Sequence, residues 1–192
     1  MPNPSRRLDL RRRPLDRKHF WRCVPKRYIE TILETGPSFT QERRYSVRGE
    51  FDALYFGGSM ELCAVEAAGR AGEDGEKMVC VEFEITVDRL ADLTQPETRT
   101  KLRVQLKDLV RPRISREAYT VPQRIARRLY SERFQGLIAP SVHDLLGQQR
   151  GWFNLVLYPA QLVRSSIREI RSQEVSSRSE WGDGSAGLSR LG

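Results

Sequence analysis

An α+β fold is predicted for this chain by three features. Short apolar strands and amphipathic helices are interspersed, several of the strands fall late, and no internal repeat sets up a regular βα alternation. The 192 residues suffice for one domain with a real core and are few for two.

In chain order, residues 1–18 are Pro- and Arg-rich and are expected to form a disordered basic arm. "FWRCVP", 20–25, reads as a short first strand, and "KRYIETILET", 26–35, as an apolar-periodic helix stopping before Gly36-Pro37. The polar stretch 38–51 reads as a loop, and "ALYFGG", 53–58, as a strand ended by two glycines. Ser59 can then cap a helix running to about Arg70. After the exposed turn 71–77, residues 78–87 place Val79, Val81, Phe83 and Ile85 on one face of a half-buried strand. Residues 97–110 and 121–133 read as helices, with Pro122 tolerated in a first turn. "GLIAP", 136–140, and "WFNLVLYP", 152–159, read as strands, and "LVRSSIREI", 162–170, as a last strand or a short helix. The predicted organisation is an arm (1–18), one domain (19–172) and a Ser/Gly-rich flexible tail (173–192).

The net charge of +8 is unevenly placed: residues 1–27 hold ten Lys/Arg against two Asp, so the N-terminal segment carries the whole excess. Such an arm can steer toward nucleic acid or another acidic partner, or simply be solvated. Basic and aromatic residues do not interleave further along, which makes nucleic-acid binding a secondary reading. No apolar run approaches the ~20 residues of a membrane span, and the N-terminus lacks the apolar core of a secretory signal. Three cysteines without CxxC spacing argue against a disulfide framework and a zinc site, and two histidines argue against a transition-metal centre. A reducing, cytoplasmic setting is the expectation.

Chemistry concentrates in two stretches. "RRYSVRGEFDALYFGGSMELCAVEAAGR", 43–70, spaces Arg44, Tyr55 and Glu66 at two intervals of eleven across a loop, a strand and a helix. Strand alternation sends Leu54 and Phe56 to the core and Tyr55 to the opposite face. On the helix, Leu62, Val65 and Gly69 are expected to pack, with Glu66 at the margin where a carboxylate can look into a cleft. The plain alternative is a Glu66–Arg70 surface pair at i,i+4, an ordinary strand tyrosine and a solvated arginine. Further on, Ser141 follows the strand 136–140, a usual place for a ligand-facing hydroxyl or for a turn serine bonding its own backbone. His143 reads as a loop residue, and without GxSxG a serine hydrolase is not indicated.

These two stretches resemble the RES-domain family, named for its Arg, Glu and Ser. The family pattern maps onto Arg44-Tyr45-Ser46, Gly49, Leu54-Tyr55 and Ala64-Val65-Glu66. Its later Gly-Leu-x-x-Pro-Ser maps onto Gly136 to Ser141, and "WRCVPKRY" is similar to its opening strand and its Arg27-Tyr28 pair. The similarity runs from about 20 to 165. Departures are Glu42 and Arg43 in place of two glycines, Tyr45-Ser46 in place of an aromatic-Asn pair, and Val47 in place of a proline.

The resemblance implies an ADP-ribosyltransferase-like fold of mixed sheets flanked by helices, and a toxin of a bacterial toxin–antitoxin pair. It implies NAD+ as substrate, cleaved at the nicotinamide–ribose bond by phosphorolysis or hydrolysis, with phosphate as co-substrate in the first case. No metal and no redox cofactor is implied. Nicotinamide leaves as a neutral ring while positive charge builds on the ribose, so a fixed carboxylate beside that sugar favours the reaction. Glu66 would supply it, and Arg44 and Arg27 would grip the pyrophosphate through paired hydrogen bonds. Tyr55 and Tyr28 would wall the nicotinamide riboside, and Ser141 would donate to carboxamide or phosphate. A cognate antitoxin with a helix-turn-helix domain is the implied partner. Two other readings stay open: an ADP-ribosyltransferase modifying a macromolecule, and a non-catalytic nucleic-acid-binding module led by the arm.

Overall fold

Among the described residues, six strands arrange in the order β1-β2-β5-β4-β3-β6: β1 (Arg13–Pro25), β2 (Leu54–Gly57), β3 (Met78–Asp92), β4 (Gly136–Pro140), β5 (Phe153–Leu157) and β6 (Ile167–Val175). The computed structural model describes residues 10, 13–35, 43–68, 77–111, 119–143, 151–162 and 166–175. All neighbouring strands run antiparallel except the parallel pair β3–β4. Because β1 also pairs with β3, five strands close into a ring, and β6 lies against β3 beside it. The seam between β1 and β2 holds a single residue pair, Trp21 with Gly57. Among the described residues the α-helices are α1 (Met60–Ala68), α2 (Pro96–Leu102), α3 (Leu106–Leu109) and α4 (Thr120–Ser131). This is the α+β class that the interspersed strands and helices predict.

Strand alternation divides the core in two. Leu54 and Phe56, Leu155 and Leu157, and Ile138 turn inward to meet Phe20, Val79, Val81, Phe83 and Ile85 inside the ring. The intervening residues of the same strands, Val156, Leu137 and Ala139, face outward onto Leu102, Leu109, Ile125, Ala126 and Leu129 of the helices. Gly136 sits where β4 meets β5, and a Cβ there would collide with the Val156 carbonyl oxygen. That close approach is the physical reason for a glycine at the head of "GLIAP".

Several expectations need correcting. The arm was expected to reach residue 18, but β1 starts at Arg13. Leu15 is buried opposite Val87, and Arg13 pairs with the buried Asp92, so the segment gains both apolar and ionic contacts. Residues 1–9 and 11–12 lie outside the described residues. At the other end, residues 173–175 extend β6 along β3, and the rest of the predicted tail lies outside them. The helix expected over 26–35 is a 3₁₀ turn, Lys26–Thr31. The β-branched Ile29, Thr31 and Ile32 weaken α-helix propensity there. The helix expected over 97–110 is two. Arg103 adopts a left-handed φ of 54°, and Gln105 with Asp108 forms a capping box that starts the second.

The cysteines correct a further expectation. Antiparallel register sets Cys23 on β1 directly opposite Cys80 on β3, and the two form a disulfide across 57 residues of chain. Spacing along the sequence carries no trace of that register. β3 also extends to Asp92 and is buried on both faces over much of its length, with Glu82 as well as Phe83 inside. His19 and Arg171 hydrogen-bond the Glu82 carboxylate at 2.8 and 2.5 Å. Burial pushes this carboxyl up, and the two hydrogen bonds outweigh it, leaving it below its ordinary range. No helix among the described residues is long and apolar enough to cross a membrane.

Candidate active site

The seam between β1 and β2 opens the site. Beyond the Trp21/Gly57 pair the two strands stop pairing, and a cleft of about 300 Å³ lies between Arg22–Pro25 on one side and Ala53–Gly57 on the other. The 3₁₀ turn supplies Tyr28 and Thr31 to its wall, the loop before β2 supplies Arg43, and α1 supplies Cys63 and Glu66. Its size lies at the lower end of the range for small-molecule pockets. Arg22 reaches across the seam and donates from Nη1 to the Tyr55 carbonyl oxygen at 3.2 Å.

Glu66 reaches this cleft because α1 starts immediately after β2. Ser59 accepts the Leu62 N–H at 3.2 Å as an N-cap. Leu62, Cys63 and Ala64 are buried, while Val65 is exposed, so the expected packing face at Leu62 and Val65 is rotated by a residue toward Cys63. The reason is Gly57: with no side chain there, the Cys63 thiol packs directly on β2 and donates to the Trp21 carbonyl. Burial pushes the Cys63 thiol up to about 12, which keeps it neutral. Gly69 and Arg70 lie outside the described residues.

The Glu66 carboxylate is held from β5 and from the end of β4. Asn154 donates from Nδ2 to Oε1 at 2.8 Å, and Ser141 donates from Oγ to the same oxygen at 3.3 Å. The second oxygen, Oε2, accepts no hydrogen bond from any described residue. Ser141 is buried, is fixed through its own N–H to the Trp152 carbonyl, and accepts the His143 N–H. It therefore meets the site through Glu66 and is not among the residues lining the cleft.

Tyr55 lies on the strand face opposite Leu54 and Phe56, as alternation predicts, and it lines the cleft. Its phenol oxygen accepts the Tyr45 N–H at 2.9 Å. Burial pushes this phenol up against that hydrogen bond, so it is neutral near pH 7.

Arg44, expected on the cleft wall, turns away from it. Its guanidinium donates to the carbonyls of Leu109 and Arg111, both at 2.8 Å, and lies over the Tyr119 ring. Carbonyls at and just past the end of α3 have no partner within the helix, and a forked guanidinium supplies donors to both. The cation this loop gives to the cleft is its neighbour Arg43, whose guanidinium sits 5.9 Å from the centre of the Tyr55 ring. The buried amide of Gln123 on α4 fixes that position by donating to the Arg43 carbonyl at 2.9 Å. Tyr28 lines the cleft mouth and is half exposed, whereas Arg27 lies over the Tyr28 ring on the outside.

Three residues here escaped the sequence reading: Arg22, Arg43 and Asn154. Asn154 carried a signal, as the one polar residue in the apolar strand "WFNLVLY", and so did Arg22 between the apolar residues of "FWRCV". The assembled wall presents two guanidiniums, two phenols, an asparagine and two carboxylates, Glu34 and Glu66, around one hollow. Such a set can bind an anionic ligand at its cationic side and oppose positive charge on that ligand with Glu66.

Comparison with known proteins agrees with this architecture. The family model described as "RES domain" matches residues 19–176. A chain in the crystal structure of the M. tuberculosis MbcT–MbcA toxin–antitoxin complex superposes with a TM-score of 0.67. That likeness covers 85% of this chain and 87% of the other at 15% identity, so it speaks for the fold. No curated protein matches the sequence.

Proposed function

The chain belongs to the RES-domain family, and from that premise we propose that it degrades NAD+ by cleaving the nicotinamide–ribose bond. The observation that carries this reading is the placement of Glu66. A carboxylate tethered through one oxygen by Asn154 and Ser141 lies in a cleft whose other walls carry Arg22, Arg43, Tyr28 and Tyr55. Charge requirements fit. NAD+ brings a pyrophosphate, which the guanidiniums attract through charge-assisted hydrogen bonds. Cleavage builds positive charge on the ribose, and Glu66 opposes it in a walled site where electrostatics are stronger than in water.

In this reading Tyr55 and Tyr28 pack against the nicotinamide riboside, and Arg22 and Arg43 bind the phosphates. Arg44 acts indirectly, by anchoring the loop that carries Arg43. Phosphate or water completes the reaction by taking the ribose carbon as nicotinamide departs. We assign the chain the toxin side of a toxin–antitoxin pair acting in the cytoplasm, with an antitoxin carrying a helix-turn-helix domain as partner. Support comes from the family and from a structural neighbour that was itself solved in such a complex.

The test is release of nicotinamide from NAD+ by purified full-length protein, with and without inorganic phosphate. Release is expected. Acceleration by phosphate identifies a phosphorylase, and release unaffected by phosphate identifies a glycohydrolase. Transfer of labelled ADP-ribose onto added protein or nucleic acid would instead favour a transferase. No release under any of these conditions would contradict the proposal.

A further inference from the structure

The cleft carries a second carboxylate, Glu34, for which bond cleavage at Glu66 has no use. Strand register sets the order of charges along the cleft. Glu66 is bonded to Asn154, which pairs with Gly57, and Gly57 faces Trp21 across the seam. Away from that end, Arg22 follows Trp21 and donates to the Tyr55 carbonyl, and Arg43 sits by the Tyr55 ring. Glu34 comes last. Its N–H donates to the Thr31 carbonyl at 2.8 Å, and the next residue, Thr35, donates from Oγ1 to Asp52 at 2.8 Å, just ahead of Ala53. Pro25, paired with Met78, bounds the same end from β1. Between the two ends β2 covers about 10 Å, at roughly 3.3 Å per residue.

The sequence along the cleft is therefore carboxylate, two guanidiniums, carboxylate. A dinucleotide presents the matching sequence of ribose, pyrophosphate, ribose. This inference rests on the reading of the cleft as an NAD+ site: with the nicotinamide ribose at Glu66 and the pyrophosphate at Arg22 and Arg43, the adenosine ribose falls at Glu34. The Glu34 side chain is exposed and forms no ion pair with a described residue. Its two oxygens suit a vicinal pair of hydroxyl donors, in hydrogen bonds strengthened by the charge. Acidic residues take the ribose 2′-hydroxyl in the same way in dinucleotide folds selective for NAD. A 2′-phosphate would instead set a charge of about −1.5 to −2 against this carboxylate. Basic residues at this end are otherwise engaged, Lys26 with Glu174 and Arg27 over the outside of the Tyr28 ring.

We propose that Glu34 is a specificity-determining residue: it binds the adenosine ribose of NAD+ through the 2′- and 3′-hydroxyls and excludes NADP+.

Calorimetric titration of the full-length protein with ADP-ribose and with its 2′-phosphorylated form tests this without requiring turnover. Wild type is expected to bind ADP-ribose at least about tenfold more tightly, the scale of a hydrogen bond to a charged group. Glu34→Gln should narrow that preference, and Glu34→Arg should reverse it. Equal affinities in wild type, a preference unchanged in Glu34→Arg, or no binding of either ligand overturns the proposal. Nicotinamide release from NAD+ and NADP+, measured on the same proteins, separates this inference from the reading beneath it. Release of nicotinamide with no discrimination at the 2′ position overturns the role of Glu34 alone. Discrimination that depends on Glu34, without release from either dinucleotide, upholds that role and contradicts the proposed reaction.

Discussion

Glu66→Gln is expected to lower the rate of nicotinamide release by roughly 10²–10³-fold, the scale for deleting one preorganised electrostatic group. The substitution keeps the size of the side chain and an oxygen able to accept from Asn154 and Ser141, as Oε1 does in the native site. The thermal midpoint should therefore stay near wild type while the chemistry fails. Because the lost interaction develops with charge on the ribose, the effect should fall on kcat, with KM little changed. Initial rates over a range of NAD+ concentrations check this. A variant retaining more than about a tenth of wild-type kcat would remove Glu66 from the chemistry.

The largest effect on stability is expected at Phe83. It is fully buried in β3, at the middle of the ring interior, and its ring meets Phe56 edge-on at 5.5 Å. Truncation to alanine removes most of a phenyl group from a core closed by strands on several sides, which leaves little freedom to collapse. Phe83→Ala should cost about 3–5 kcal/mol. Against a typical total of about 5–15 kcal/mol, that is a large share of what holds the domain together. Urea unfolding followed by tryptophan fluorescence would measure it. Phe83→Leu keeps most of the volume and should lose clearly less. A loss below about 1 kcal/mol for the alanine variant would mean that the ring interior is not packed as described.

What the sequence could and could not reveal follows from the range over which each signal acts. The inward turn of Leu54 and Phe56, the outward turn of Tyr55 and the cap at Ser59 are local consequences of period and turn chemistry, and all were legible. Glu66 was legible as a helix-margin carboxylate, but its tether to Asn154 spans 88 residues, and nothing near position 66 points there. The exchange of Arg43 for Arg44 was not legible at all. Two adjacent loop arginines project differently, and the choice is made by carbonyls at 109 and 111 and by the amide of Gln123. Ser141 was located correctly after its strand but was expected to face the ligand. Its burial and its contact with Glu66 place it as support for the carboxylate.

The length of β1 was missed for a different reason. "RPLDRK" alternates weakly and is rich in charge, so nothing local argues for a strand. Its order comes from pairing with β3, most of whose residues are buried. The same register brings Cys23 to Cys80.

The central claim is that one cleft, at the seam where β1 and β2 part, holds the dinucleotide with its ribose at Glu66. A crystal structure of the slow Glu66→Gln variant soaked with NAD+ tests it most directly. The expected result places the nicotinamide ribose within hydrogen-bond reach of residue 66, with the pyrophosphate against Arg22 or Arg43. NAD+ bound elsewhere on the domain, or lying in this cleft with its ribose turned away from residue 66, would contradict the account.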